Sequence, residues 1–163
     1  MMRTMRRTFQ ALDDKECTLI LEKSTSGTLA CMGNDGYPYA IPLSHVFVDG
    51  KLYFHGATIG HRIDAICSYP KVSYCVIEQD QVIAERLTTY YRSVIVFGQA
   101  RLLNDVTEKR IALFKLGQKF APGMTDKTIE EIDRFIDTVS VMELTIEHMT
   151  GKEALDLKKT KLA

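Results

Sequence analysis

The stretch NDGYPYAIPLSHVFVDGKLYFHGA, residues 34–57, decides the fold class of this chain. It is rich in β-branched and aromatic residues and is interrupted by two Asp-Gly pairs, at 35–36 and 49–50. Asp-Gly between apolar runs is typical of tight hairpin turns. Together with the run before it, the stretch predicts an antiparallel meander of three strands. These strands are TLACM at 28–32, PYAIPLSHVFV at 38–48 and KLYFHGA at 51–57.

Outside that stretch, the hydrophobic pattern alternates between helix and strand periods. Asp13 followed by Glu16 is a capping-box pattern that predicts a helix start, and Pro70 ends the helix that follows residue 60. Gly98, inside a long apolar run, indicates a bend or bulge. The sequence predicts helices over 14–24, 61–69, 107–120 and from about 125, and strands over 71–78, 90–103 and 139–149.

About six hairpin-connected strands with helices at the periphery predict an α+β domain built on a small antiparallel β-barrel. We expect residues 1–163 to form one domain, because this length suits a single core. Residues 1–10 and 158–163 are expected to be flexible ends. The polar stretch 79–89 is expected to be a connection with a turn of helix.

Composition excludes several classes of protein. The chain has 21 Lys+Arg against 21 Asp+Glu, which argues against a protein that binds nucleic acid through its phosphates. No run approaches the about 18 apolar residues of a membrane span. The basic start MMRTMRRTFQ is not followed by an apolar region, so we do not expect it to be a secretory signal. The four cysteines form no CxxC pair, which favours free thiols in a reducing cytoplasm. We therefore expect a cytoplasmic protein that contacts neither membrane nor nucleic acid.

The segment FHGATIGHRIDAI, residues 54–66, is the most informative for chemistry. A strand ends at His55-Gly56, and a helix begins at Gly60-His61-Arg62. Unpaired N–H groups and the positive end of the dipole stabilise an anion at a helix start, and His61 and Arg62 add side-chain donors. The segment predicts a phosphate site, with an ordinary helix start as the alternative. It lacks the P-loop and GxGxxG patterns.

The histidines and cysteines do not form a recognisable metal or nucleophile motif. None of His45, His55, His61 and His148 is spaced from another ligand as metal-binding helices require. Cys31 and Cys75 fall in predicted core strands, where a thiol behaves as a small hydrophobe. No metal site is predicted.

The order of these pieces resembles a known family. The stretch from residue 34 to 76, the strand YYRSVIVFGQARLL and the late IEHMTGKEAL are similar to FMN-binding split β-barrels of the pyridoxamine 5′-phosphate oxidase-like superfamily, in particular its 5-nitroimidazole-resistance (Nim-type) branch. The resemblance covers residues 3–157. It implies a six-stranded antiparallel split β-barrel with peripheral helices, working as a homodimer with FMN as cofactor.

The resemblance also implies roles for individual residues. A strand beside the flavin ring and ribityl chain offers backbone groups, and a turn holds the phosphate. Ser93 matches a polar position that reaches the flavin, commonly from the partner subunit. The strand positions are Ile41, Pro42, Leu43 and Ser44, and the turn positions are His55, Gly56, Ala57, Gly60, His61 and Arg62.

Two departures from the family are visible. Authentic pyridoxamine phosphate oxidases have a C-terminal segment with Arg and Trp, whereas this chain has no Trp and no Arg after Arg134, so oxidation of pyridoxamine phosphate is not expected. The frequent Ser-Arg-Lys of the phosphate turn is Gly60-His61-Arg62 here, with fewer permanent cations.

The function implied is a flavin-dependent reductase of small oxidised compounds, including nitroaromatics, which takes electrons from a donor that the sequence does not name. His45, beside the flavin-facing strand, is the candidate proton donor because its unperturbed pKa of about 6.5 suits that role; a barrel histidine bonded to backbone is the alternative. Two other functions stay open. One is a haem-binding protein with His45 or His148 as axial ligand, and the other is a non-catalytic flavin carrier.

Overall fold

The computed structural model describes residues 2 and 4–162, with side chains described through residue 159. It is an α+β fold with an antiparallel sheet, which confirms the predicted class. The strands are β1 Ala11–Leu12, β2 Ser26–Met32, β3 Pro38–Ser44, β4 Val46–Val48, β5 Lys51–Gly56, β6 Lys71–Ile83, β7 Thr88–Leu102 and β8 Ser140–Glu153. The α-helices are α1 Asp14–Lys23, α2 His61–Ser68, α3 Val106–Phe120, α4 Thr125–Phe135 and α5 Leu155–Leu162.

The described residues contain eight strands where about six were expected. One reason is that the predicted strand 38–48 divides at His45 into β3 and β4. The ring of His45 is fully buried, and its backbone N–H donates to Thr25 O at 3.2 Å. The chain therefore turns inward at this residue. The other reason is the short strand β1, which pairs with β8.

The two hairpin pairs of the expected meander are present, β2 with β3 and β4 with β5, but the three strands do not form one continuous unit. The hydrogen-bonded order is β3-β2-β6-β7-β8-β5-β4, so β5 pairs with β8 and β3 lies at the opposite end of the order from β4. Consecutive strands β3 and β4 are joined through one residue but are not hydrogen-bonded to each other. The barrel is split between them, and β3 has one edge without a neighbouring strand.

Strands β6 and β7 form a hairpin longer than expected. Residues 79–83 were predicted to be connection, but the pairing continues to Ile83 with Thr88, because cross-strand pairs such as Val82 with Thr89 continue the ladder. The expected turn of helix is present as a 3₁₀ turn over Ala84–Arg86. The bulge predicted at Gly98 is also present: the register shifts there, and a Cβ on Gly98 would lie 1.9 Å from Thr145 O.

The core lies inside the barrel. Its largest fully buried side chains are Tyr74 and Phe54, whose rings meet edge to face with centroids 5.1 Å apart. Helix α1 closes one end with Leu21 and Cys17, and its capping box is confirmed, with Asp13 Oδ1 accepting from the backbone N–H of Glu16 at 2.8 Å. Helix α3 packs outside the barrel, where Ala112 contacts Leu103 and Val141.

Regular structure occurs near both ends of the chain. Residues Thr8–Gln10 form a 3₁₀ helix, and the buried Gln10 amide donates to Glu153 O at 3.1 Å. At the other end lies α5, where Lys158 Nζ donates to Ala11 O at 2.7 Å. The expected flexibility of both ends stays a prediction. Residues 1, 3 and 163 of the predicted ends lie outside the described residues. No helix in the described chain combines the length and apolar character that a bilayer crossing needs.

Candidate functional site

The predicted phosphate turn joins the end of β5 to the start of α2. Gly60 precedes the helix with φ 126°, in the left-handed region that favours glycine, and no side chain caps the helix. The first amides of an α-helix have no partner within it, so those of His61 and Arg62 are directed towards the turn. An uncapped helix start of this kind suits an anion, and the phosphate site stays a prediction.

Arg62 lies across this turn. Its guanidinium packs on Gly56, where a Cβ would lie 2.5 Å from Nη2 and 3.0 Å from Nη1. Nη2 donates a long hydrogen bond of 3.5 Å to Ala57 O. Among the described residues, Arg62 forms no ion pair with a carboxylate, and partial burial lowers its pKa from the ordinary value. A half-buried guanidinium without a counter-ion is suited to receive an anionic ligand.

His61 does not point at the same place as Arg62. Its ring stacks on Tyr39 of β3, with centroids 4.2 Å apart and an interplanar angle of 11°. The stack ties the start of α2 to the outer strand of the sheet. The side chain of His61 therefore positions the turn, and Arg62 is the side-chain cation of the site.

Ser140 is a site residue that sequence reasoning missed. Its Oγ lies 2.7 Å from Ala57 O and 3.1 Å from Gly56 O, and it donates to these carbonyls. Ser140 is paired with Gly56 across β5 and β8, although the two are 84 residues apart. The alternation of residues 139–147 predicts the strand, but only its register could have shown this contact.

His55 stands at the end of β5, on the outer face of the barrel. Desolvation, and secondarily the charge of Arg62, lower its pKa below the ordinary value. In its neutral form the imidazole can donate one hydrogen bond and accept another.

Strand β3 presents two different faces. Pro42 and Ser44 are exposed, whereas Ile41 and Leu43 point inward against the core. Because β3 ends the hydrogen-bonded order, none of the strands that the structure describes pairs with the backbone groups along its outer edge. The four predicted strand residues can thus offer backbone groups and a flat outer face to a planar ligand, while the side chains of Ile41 and Leu43 serve the core.

A pocket of about 880 Å³ opens beside the turn. Its floor contains four residues that the sequence had nominated: Ser44, His55, Gly56 and Ala57. Its opposite wall is a helical hairpin of α3 and α4, which the sequence predicted as elements but not as part of a site. The principal apolar residues of this wall are Leu116, Phe120, Met124, Ile132 and Phe135.

Ser93 is not brought to this pocket within one chain. It lies on β7, paired with Lys152 of β8 and Ile77 of β6, and does not line the pocket. Its expected contact with a flavin bound by the partner subunit stays a prediction.

His45 is enclosed between β3, α1 and the core. Its side chain is 0% exposed. Nε2–H donates to Leu21 O at 2.8 Å, and Nδ1 lies 2.9 Å from the hydroxyl of Tyr74, which is also 2.7 Å from Leu43 O. Burial, and to a smaller extent the nearby Lys119 charge, lower the pKa of His45 to about 4. This is the arrangement of a barrel histidine bonded to backbone, and both ring nitrogens are already engaged.

The thiols and remaining histidine give no competing site. All four cysteines are free, and burial raises the pKa of Cys17 to about 11 and that of Cys75 above its usual range, so these thiols stay protonated. The ring of His148 stacks on Phe97 with centroids 6.2 Å apart. In the described part of the chain, no three His, Cys, Asp or Glu side chains are placed to hold a metal ion.

Solved structures share this fold. A candidate 5-nitroimidazole antibiotic resistance protein from Bacteroides thetaiotaomicron is 19% identical with a TM-score of 0.73, over 88% of this chain and 86% of that one. A flavocytochrome from Azotobacter vinelandii is 22% identical with a TM-score of 0.77, over 93% and 72% of the two chains. An FAD-binding protein from Mesorhizobium loti is 27% identical with a TM-score of 0.63, over 88% and 96%.

Comparison of the amino-acid sequence with family models identifies the family of this chain. No curated protein matches the chain significantly. A family model for pyridoxamine 5′-phosphate oxidase matches residues 13–153, which include the whole turn, β3 and the wall of the pocket. The shared split antiparallel barrel of the structural relatives agrees with this match. This protein belongs to the pyridoxamine 5′-phosphate oxidase family.

Proposed function

We propose that this protein binds FMN through the turn from Gly56 to Arg62 and the outer edge of β3, and that it reduces small oxidised compounds, nitroaromatics among them. The observation that carries the proposal is Arg62: a half-buried guanidinium with no carboxylate partner among the described residues, at the start of an uncapped helix. A phosphate monoester would supply the missing negative charge. Family membership and the FAD-binding relative support a flavin as the ligand.

The residues present fit such a group. Gly56 has no side chain, so its backbone leaves room for Arg62 and for a phosphate beside it. Ser140 holds the carbonyls of Gly56 and Ala57 away from the site by donating to them, which directs the amides of the turn towards an anion. The exposed Pro42 and Ser44 leave a flat face on β3 for the ring. When bound, a flavin supplies two-electron reduction, and the protein supplies binding and orientation.

We propose that the functional unit is a homodimer in a reducing cytoplasm, with Ser93 of each chain completing the other chain's site. The β6–β7 hairpin supports this, because Val82 and Leu87 are 74% and 96% exposed there, as apolar side chains of a subunit interface are in an isolated chain. Light scattering should give twice the chain mass for the FMN-loaded protein. A stoichiometric FMN complex that remains monomeric would contradict this part of the proposal.

The proposed reaction is tested directly with reduced protein. Under anaerobic stopped flow, we expect chemically reduced flavin on the protein to be reoxidised by 5-nitroimidazole. In a separate mixing experiment, we expect oxidised flavin on the protein not to be reduced by pyridoxamine phosphate, because the chain has no Arg after Arg134 and no Trp. The absorbance spectrum of the loaded protein should show flavin bands and no Soret band. A Soret band would support the haem alternative, and flavin without reaction towards any nitro compound would support the carrier alternative.

A further inference from the structure

The pocket beside the flavin turn has an apolar wall that the proposed function leaves unexplained. Phe120, Met124 and Phe135 are 43%, 54% and 43% exposed although all three line the pocket. Leu116 and Ile132 continue the same surface and are buried. Exposed large apolar side chains that are gathered around one concave site indicate a ligand site, whereas single scattered ones do not.

The position of the pocket restricts its occupant. Its floor contains Ser44, His55, Gly56 and Ala57, the residues assigned above to the flavin. A compound bound between this floor and the α3–α4 hairpin would therefore lie next to the flavin. This inference thus rests on the proposed function, and it concerns the compound that accepts electrons.

The size of the pocket and its apolar wall, beside which Lys127 and Glu131 also line the pocket, indicate what kind of compound fits. The volume of about 880 Å³ lies towards the upper end of the range of about 300–1,000 Å³ for ligand pockets. A single five-membered heterocycle would leave most of Phe120, Met124 and Phe135 in water. A larger aromatic ring system would cover them, and each additional Å² of apolar surface buried favours binding by about 25 cal/mol.

We propose that the α3–α4 pocket selects acceptors whose reducible group is carried by a fused, apolar aromatic ring system, with the rings against Phe120, Met124 and Phe135 and the polar group towards Ser44 and His55. The hydroxyl of Ser44 and the imidazole of His55 are the side-chain hydrogen-bonding groups of the floor. The α3–α4 hairpin is thereby a specificity element of the enzyme.

The test compares two probes with the same nitro group, 1-nitronaphthalene and 5-nitroimidazole. Binding to FMN-loaded, oxidised protein is measured by equilibrium dialysis, with FMN affinity measured separately by flavin fluorescence. We expect 1-nitronaphthalene to bind one site per chain at least about tenfold more tightly, because it buries more apolar surface. Phe120→Ser and Phe135→Ser should each lower that affinity about three- to tenfold and leave FMN affinity unchanged.

Ile111→Ser is the matched control, because Ile111 is 57% exposed on α3 and does not line this pocket; it should leave both affinities unchanged. Met124 lies outside the helices, so Met124→Ser is measured in place of any phenylalanine variant that fails to fold.

Equal affinity for the two probes, or no effect of the pocket variants, would overturn the inference. An equal loss of FMN affinity in these variants would overturn it too, since the pocket would then hold the flavin itself. If FMN does not bind at all, dialysis of both probes on flavin-free protein still decides the selectivity, while the proposed function fails separately.

Discussion

Arg62→Ala is expected to weaken FMN binding by about ten- to a hundredfold while changing the free energy of unfolding by less than about 1 kcal/mol. A charge-assisted contact to phosphate contributes about 1.5–3 kcal/mol, which corresponds to that range of affinity. The fold loses little, because Arg62 forms no ion pair among the described residues and only one long hydrogen bond, of 3.5 Å, to Ala57 O. Titration of FMN fluorescence and urea denaturation measure the two quantities independently.

The control for Arg62→Ala is Arg86→Ala, which removes the same side chain from an exposed turn at the tip of the β6–β7 hairpin. Gly56→Ala provides a second route to the same result. Its methyl group would lie 2.5 Å from Arg62 Nη2, so the guanidinium must move away while remaining charged. Both site variants should bind FMN more weakly than Arg86→Ala. Equal FMN affinity in all three proteins would mean that the turn is an ordinary helix start.

Acidification from pH 6.5 to pH 4 is expected to lower the free energy of unfolding by about 3 kcal/mol through His45 alone. In the unfolded chain His45 takes up a proton near its ordinary pKa of about 6.5, whereas burial lowers the pKa to about 4 in the folded protein. Between these values only the unfolded chain binds the proton, so stability is lost as the pH falls. Above pH 6.5 both states are neutral, and below pH 4 both are protonated, so the effect of this group stops there.

His45→Gln isolates this effect from the titration of carboxylates. Glutamine does not titrate and can keep a donor towards Leu21 O, which His45 Nε2 contacts at 2.8 Å. We expect the native protein to be the more stable of the two near pH 7 and its advantage to shrink progressively towards pH 4, as measured by urea denaturation at fixed ionic strength. An advantage that stays constant across this window would show that His45 keeps an ordinary pKa in the folded protein.

Elements set by neighbouring residues were predictable from the sequence. The capping box of Asp13 and Glu16 starts α1, and the turn at Asp49-Gly50 has positive φ at both residues, as short-range steric rules require. The bulge at Gly98 and the end of α2 before Pro70 belong to the same class. In each case the signal lies within four residues of the feature that it determines.

Strand pairing needed the tertiary structure. The two strands that flank an Asp-Gly turn do pair, as β4 and β5 show. Nothing near residue 56 in sequence indicates that β5 also pairs with β8. The division of residues 38–48 at His45 was equally hidden, because the run is β-rich throughout. What divides it is the burial of one imidazole against Leu21 and Tyr74, residues from two other elements.

The same distinction between local and long-range features applies to the candidate site. The sequence by itself determined that a strand, a glycine-containing turn and a helix start follow one another at residues 54–62, since each signal is local. Only the tertiary structure decided that Arg62 packs under Gly56, that His61 stacks on Tyr39, and that Ser140 secures the turn from β8. It also placed the apolar wall of α3 and α4 opposite His55. Side-chain direction and long-range packing depend on how all strands pack around one core, because the free energy is minimised for the whole core together. No single stretch of residues therefore encodes them.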